Sequence, residues 1–148
     1  MIFKKIGIYL LYLIPWFLSG IFFRSNTSYY QSLNLPIYAP PPIIFPIIWT
    51  ILYILIAYSI YLVRKNTTTN YKIYLTINYL SNQLFTICFF SLKNNFLALT
   101  DTIIVFISSL YLYVETKSLK EKASWYLIPY ILWNIFALIL IFNIFFTN

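Results

Sequence analysis

Apolar residues in this chain gather into five long runs, residues 6–23, 43–63, 73–92, 96–114 and 125–146, separated by short polar connections. Each run is about 20 residues long, and at about 1.5 Å of rise per residue a helix of that length crosses the roughly 30 Å hydrocarbon core of a bilayer. The pattern predicts an all-α integral membrane protein, a bundle of five transmembrane helices forming a single domain over residues 1–148. The longest connection, residues 24–42, starts polar and turns proline-rich, with Tyr29, Tyr30 and Tyr38 suited to the headgroup level. It is expected to lie over the mouth of the bundle. Pro40, Pro41 and Pro42 each lack an N–H and have a fixed φ, so they favour an extended lead-in, with a helix starting just after them. Pro46 then falls in the first turn, where a missing N–H costs little.

The second run organises the rest. At helical spacing Phe45, Trp49, Tyr53, Ile56 and Ile60 share a face, a stripe of aromatic and branched surface able to line a pocket. The first run follows Lys4 and Lys5 as a signal peptide would, but it exceeds the usual ~7–15 apolar residues and no small-x-small cleavage site follows, so a retained span is expected.

Composition supports lipid as part of the solvent, because a 148-residue chain that is 61% hydrophobic and only 9% charged cannot hide its apolar side chains inside a globule. The net charge of +7 would suggest a nucleic-acid partner in a soluble domain. Here the basic residues lie between the runs, where topology explains them. Lys4, Lys5, Arg64, Lys65, Lys72, Lys117, Lys120 and Lys122 fall on one side of a five-span bundle and only Arg24 and Lys93 on the other. The positive-inside rule then puts the N-terminus in the cytoplasm and, in a bacterial cell membrane, the C-terminus outside. One cysteine, Cys88, excludes an internal disulfide, and with no histidine there is no Cys/His metal cluster. No nucleophile with its base and no phosphate-binding glycine loop is present, so hydrolysis and nucleotide-driven transport are poor candidates.

Three places carry polar or aromatic chemistry inside the runs. Asn78 and Asn82 stand one helical turn apart in the third, with Gln83 adjacent and Phe85, Thr86 and Phe89 continuing along roughly the same side. Amides in lipid need partners. They either glue neighbouring helices, at about 0.6–2 kcal/mol each, or line a cavity. Asp101 is the only acid inside an apolar run, where leaving it unpaired is costly. A structural hydrogen bond near the interface is its simplest role, and contact with a polar ligand group is the alternative. In the fifth run Trp133 and Ala137 face the same neighbour, a large ring beside a missing side chain, which gives either close helix contact or room for a ligand.

The order Tyr30, Leu33, Pro36, Ala39, Pro40, Pro41, Pro46, Trp49, Leu52, Tyr53, followed by Asn78, Asn82 and Gln83, FLALTD ending at Asp101, and LIPYILWNIFA ending at Ala137, resembles the signature of the tryptophan-rich sensory protein family, also called translocator proteins. The likeness covers almost the whole chain. It departs from the family pattern at Tyr38, Leu35 and Ala57, and in lacking the C-terminal aromatic-basic pattern. The resemblance implies a cavity beneath the long loop, with Tyr30, Pro40, Phe45, Trp49, Tyr53, Asn78, Asn82, Gln83, Phe85, Thr86, Asp101, Trp133 and Ala137 as its ligand-binding residues. It implies porphyrins such as protoporphyrin, sterol-like molecules and synthetic aromatic compounds as ligands, a role in porphyrin handling or stress responses, and a homodimer. No cofactor is required on this reading. Because the commonest axial ligand of haem iron is missing with histidine, metal-free porphyrin is favoured over haem. An enzyme that degrades porphyrin in light, with Trp49 and Trp133 beside the bound ring, is the second reading. A transporter of tetrapyrroles or sterol-like molecules is the third, weakened by the lack of a charged pathway across the spans.

Overall fold

The computed structural model describes residues 2–22 and 27–148, and among them all regular secondary structure is helical. Helix α1 (Ile2–Leu13) leads through a tight turn at Ile14–Phe17 into α2 (Leu18–Phe22). Pro15 explains that turn, since its missing N–H and its ring interrupt the regular helix. Two side chains of the third run bond to the backbone at this turn. Tyr79 donates its hydroxyl to the Pro15 carbonyl at 3.1 Å, and the Ser19 N–H donates to Gln83 Oε1 at 2.8 Å. Phe23 and Arg24, the end of the expected first span and the start of the expected loop, lie outside the described residues.

The connection expected over 24–42 holds a short helix, α3 (Thr27–Ser32), and its proline-rich part is turned and not simply extended, the Ala39 N–H donating to the Pro36 carbonyl at 2.9 Å and the Ile44 N–H to the Pro41 carbonyl at 3.0 Å. Helix α4 (Ile44–Val63) begins directly after the three prolines, with Pro46 in its first turn. Helix α5 (Thr69–Thr86) is started by Thr68, whose side chain accepts from the Tyr71 N–H at 3.1 Å, and it widens into a π turn at Ile87–Ser91. Lys93 then takes a left-handed conformation with φ of 51°, and Asn94 caps α6 (Asn95–Leu119) by accepting from the Leu97 N–H at 3.0 Å. A single helical turn, α7 (Glu121–Trp125), precedes α8 (Ile128–Thr147).

Among the described residues four stretches are long and apolar enough to cross a membrane: Phe3–Phe22, Ile44–Val63, Asn95–Leu119 and Glu121–Thr147. The third expected run is not one of them. Its Asn78, Ser81, Asn82 and Gln83 lower its mean hydropathy, and α5 starts earlier than that run, at Thr69. The fourth run was expected to stop at residue 114, but α6 continues to Leu119 because no proline or glycine interrupts it. Helix α6 packs along both α5 and α8, and α1 packs against α4. Large apolar side chains such as Leu11, Phe22, Ile51, Leu132 and Phe142 are exposed on the outer faces, the surface expected where lipid covers the bundle. The interior divides into two apolar clusters, one around Ile56, Leu112, Leu127 and Tyr130 and one around Tyr30, Phe89, Ala98 and Ile144.

Candidate functional site

A cavity of about 230 Å³ lies where the two clusters meet, bordered by residues of both. Helix α4 contributes Phe45, Trp49 and Tyr53, as its stripe at helical spacing requires. Asn82, Phe85 and Thr86 come from α5, and Trp133 and Ala137 from α8. Tyr30 closes the cavity beneath α3, its hydroxyl donating to the Pro40 carbonyl at 2.9 Å. Nine of the sequence-expected residues, from four helices, therefore border one space.

Four others do not. Pro40 acts through that carbonyl, holding Tyr30 over the cavity. Gln83 is turned to α2 and the Pro15 break, with Nε2 3.4 Å from the Trp16 carbonyl. Asn78 is fully buried against α6, where its Nδ2 donates to the Val105 carbonyl at 3.1 Å and to Ser108 Oγ at 2.9 Å. Its Oδ1 accepts the Tyr130 hydroxyl proton at 2.9 Å, and Asn82 Nδ2 donates to the same Tyr130 oxygen. The two amides and the tyrosine thus form one buried network joining α5, α6 and α8, which holds Asn82 at the edge of the cavity. Asp101 is buried between α6 and α5, where Ser81 Oγ donates to its Oδ1, and its Oδ2 has no hydrogen-bond partner among the described residues.

The walls are aromatic. Trp49 lies 5.4 Å from Tyr53, and Tyr53 lies 5.6 Å from Trp16, ring centre to ring centre, forming a tilted series into α1's end of the bundle. Phe45 meets Trp133 edge to face at 6.1 Å, and Phe85 stacks on Phe89 at 5.5 Å. The indole N–H of Trp133 is buried without a hydrogen-bond partner among the described residues, although the residue as a whole is only half-buried. Flat apolar molecules suit such walls, since ring faces and edges offer large contact area with a preferred geometry.

Sequence reasoning missed several lining residues. Trp16 sits in the first run, where only length and hydropathy gave a signal, and its place beside Tyr53 depends on the Pro15 break. Asn134 and Ile141 of α8 follow Trp133 and Ala137 on the same broad face and were visible in the helical spacing. Phe90 reaches the cavity from the π turn, which re-aims side chains in a way that regular periodicity does not show, whereas Phe89, which also lines it, was already on the expected side of the third run. No group of three or more metal-ligating side chains occurs among the described residues.

The TspO/MBR family model matches residues 7–146. The Tryptophan-rich protein TspO of Bacillus cereus is 34% identical over 135 residues, covering 89% of this chain and 88% of that protein. The Tryptophan-rich protein TspO of Archaeoglobus fulgidus is 32% identical over 139 residues, 88% of each chain. A match this long, with its quoted motifs gathered on one cavity and its supporting network, shows that the chain belongs to the TspO/MBR family.

Proposed function

We propose that the protein binds a flat, largely apolar ligand of the porphyrin class in the cavity between α4, α5 and α8. The carrying observation is the aromatic-walled space itself, with Trp49, Tyr53, Phe85 and Trp133 on its walls and the Asn82 amide at its edge. Its volume of about 230 Å³ is below the ~300–1,000 Å³ usual for sites of drug-sized ligands, so a porphyrin enters only if wall side chains move outward. With no histidine in the sequence, metal-free porphyrin remains the favoured form. The same proposal places α5 and its π turn as a fifth crossing, the polar face of α5 being turned inward onto α6. It puts the N-terminus in the cytoplasm, on the side rich in lysine and arginine, and pairs two chains as a homodimer.

Titrating protoporphyrin IX into the purified protein in lipid nanodiscs, with tryptophan quenching as the readout, tests the binding. Saturation at one porphyrin per chain is the expected result, and quenching that rises linearly without saturating removes the proposal. The series Trp49, Tyr53 and Trp16 favours one second reading, in which the bound porphyrin is degraded under illumination. An absorption spectrum of the bound porphyrin before and after illumination separates the two, because a binding protein returns its ligand unchanged.

A further inference from the structure

We infer that ligands reach the cavity sideways from the bilayer, through the seam between α4 and α8, with the Trp133 ring as the movable gate; this rests on the binding proposed above. A second concavity, of about 380 Å³, lies on the outer face of that seam, lined by Ile48, Ile51 and Leu52 of α4 and by Pro129, Leu132, Trp133 and Phe136 of α8. Trp133 borders both this groove and the inner cavity and, among the described residues, is the one lining residue the two spaces share. Ile51 and Leu132 are 50% and 61% exposed, which sets the groove against the acyl chains.

The seam is also weakly joined. Ring contacts cross it, Phe45 to Trp133 at 6.1 Å and Trp49 to Tyr130 at 6.2 Å, but no hydrogen bond does among the described residues. Because the Trp133 N–H has no hydrogen-bond partner among the described residues, swinging the ring breaks no hydrogen bond and gives up only apolar packing, including its ring contacts with Phe45 and Phe136.

The loop above the cavity is fastened differently. Tyr30 holds the Pro40 carbonyl, the Asn34 N–H donates to Asn148 Oδ1 at 2.7 Å, and Thr147 Oγ1 donates to the Asn34 carbonyl at 3.1 Å. Entry from that side needs several of these bonds to release together and brings an apolar ligand through water. A ligand already dissolved in the bilayer avoids both steps, since apolar surface partitions out of water.

The test measures the rates of protoporphyrin IX binding and release by stopped-flow porphyrin fluorescence in nanodiscs, together with equilibrium affinity. Leu132→Trp, which adds bulk to the groove without touching the inner cavity, is expected to slow association and dissociation alike by roughly tenfold and to leave Kd unchanged, since a gate alters the path and not the bound state. Ile51→Trp approaches from the opposite helix and supplies the same reading if the first variant folds poorly. Thr147→Val combined with Asn148→Ala, which removes the side-chain groups that hold the Asn34 backbone, is expected to leave both rates within about twofold of the unaltered protein. Wild-type rates in both tryptophan variants, or acceleration in the Thr147→Val, Asn148→Ala double variant, overturn the lateral route. A change in Kd without matched changes in the two rates overturns the gate. If the unaltered protein shows no saturable binding, the binding reading falls and takes this inference with it.

Discussion

The two seams that frame the cavity are built from opposite materials. Between α5 and its neighbours α6 and α8, Asn78, Asn82 and Tyr130 form a continuous buried hydrogen-bond network, with Ser81 bonded to Asp101 beside it. Between α4 and α8 there are apolar side chains and ring edges. In lipid the difference matters more than in water, because an apolar side chain leaving its helix neighbour finds acyl chains that are equally apolar, whereas an amide leaving its partner finds nothing. One seam therefore has a defined register and a high cost of opening. The other can part and close again with lipid as the substitute partner. A cavity with one fixed wall and one yielding wall can keep its shape and still admit a ligand wider than itself.

The sharpest way to break this contrast is Asn78→Ala, which is expected to have the largest effect on stability. It removes three interhelical hydrogen bonds, worth about 0.6–1.7 kcal/mol each in membranes, and leaves the Tyr130 hydroxyl without its acceptor. A loss of about 2–4 kcal/mol is expected, measured as unfolding in mixed micelles by circular dichroism. A loss below the single-bond value would mean that the network does not hold α5 to α6.

Next come the two tryptophans. Trp49→Ala and Trp133→Ala are each expected to weaken porphyrin affinity by about two- to twelve-fold, the equivalent of roughly 0.5–1.5 kcal/mol of ring contact, with the protein still folded. Phe106→Ala, on a helix face that does not border the cavity, is expected to leave affinity unchanged. If thermal stability falls while the folded fraction binds normally, the tryptophans are packing residues of the yielding seam and not part of a site.

These same residues show how far the sequence could be read. The α4 stripe was legible because Phe45, Trp49 and Tyr53 follow a regular helical period, and α4 is regular where they sit. The third run was legible as a helix but not in its role. Asn78 and Asn82 lie on nearly the same face, yet one is committed to α6 and only the other reaches the cavity, a division that depends on where Ser108 and Tyr130 stand on other helices. Trp16 and Phe90 were hidden by departures from regular helix, the proline break and the π turn. The helix at Thr27–Ser32 was hidden by its polar composition, which carries no hydrophobic period.

Asp101 gives a smaller test of the polar seam. Asp101→Asn keeps an oxygen to accept from Ser81 while removing the ionisable group, so its stability is expected to stay within about 1 kcal/mol of the unaltered protein. Asp101→Ala leaves the buried Ser81 hydroxyl without that acceptor and is expected to cost about 1–2 kcal/mol. The same unfolding assay reads both. If Asp101→Asn abolishes porphyrin binding while stability is kept, the carboxylate acts on the ligand and its structural role is secondary.

The smallest effect is expected at Leu132→Ala, and it bears directly on why the two seams differ. Leu132 projects from α8 into the outer groove and is 61% exposed, so most of its surface already meets the membrane interior. In a water-soluble core, truncating a leucine leaves a cavity and costs about 2–5 kcal/mol. Here an acyl chain can move into the vacated space, and no hydrophobic transfer is lost because the leucine was never in water. A change of less than about 0.5 kcal/mol is expected in nanodiscs, beside the much larger loss at Asn78. A loss of 2 kcal/mol or more, on the order of the core value, would show that Leu132 is packed against protein and that the α4–α8 seam is as rigid as the polar one. Lipid would then no longer be its substitute partner, and the lateral route would have no yielding wall to pass through.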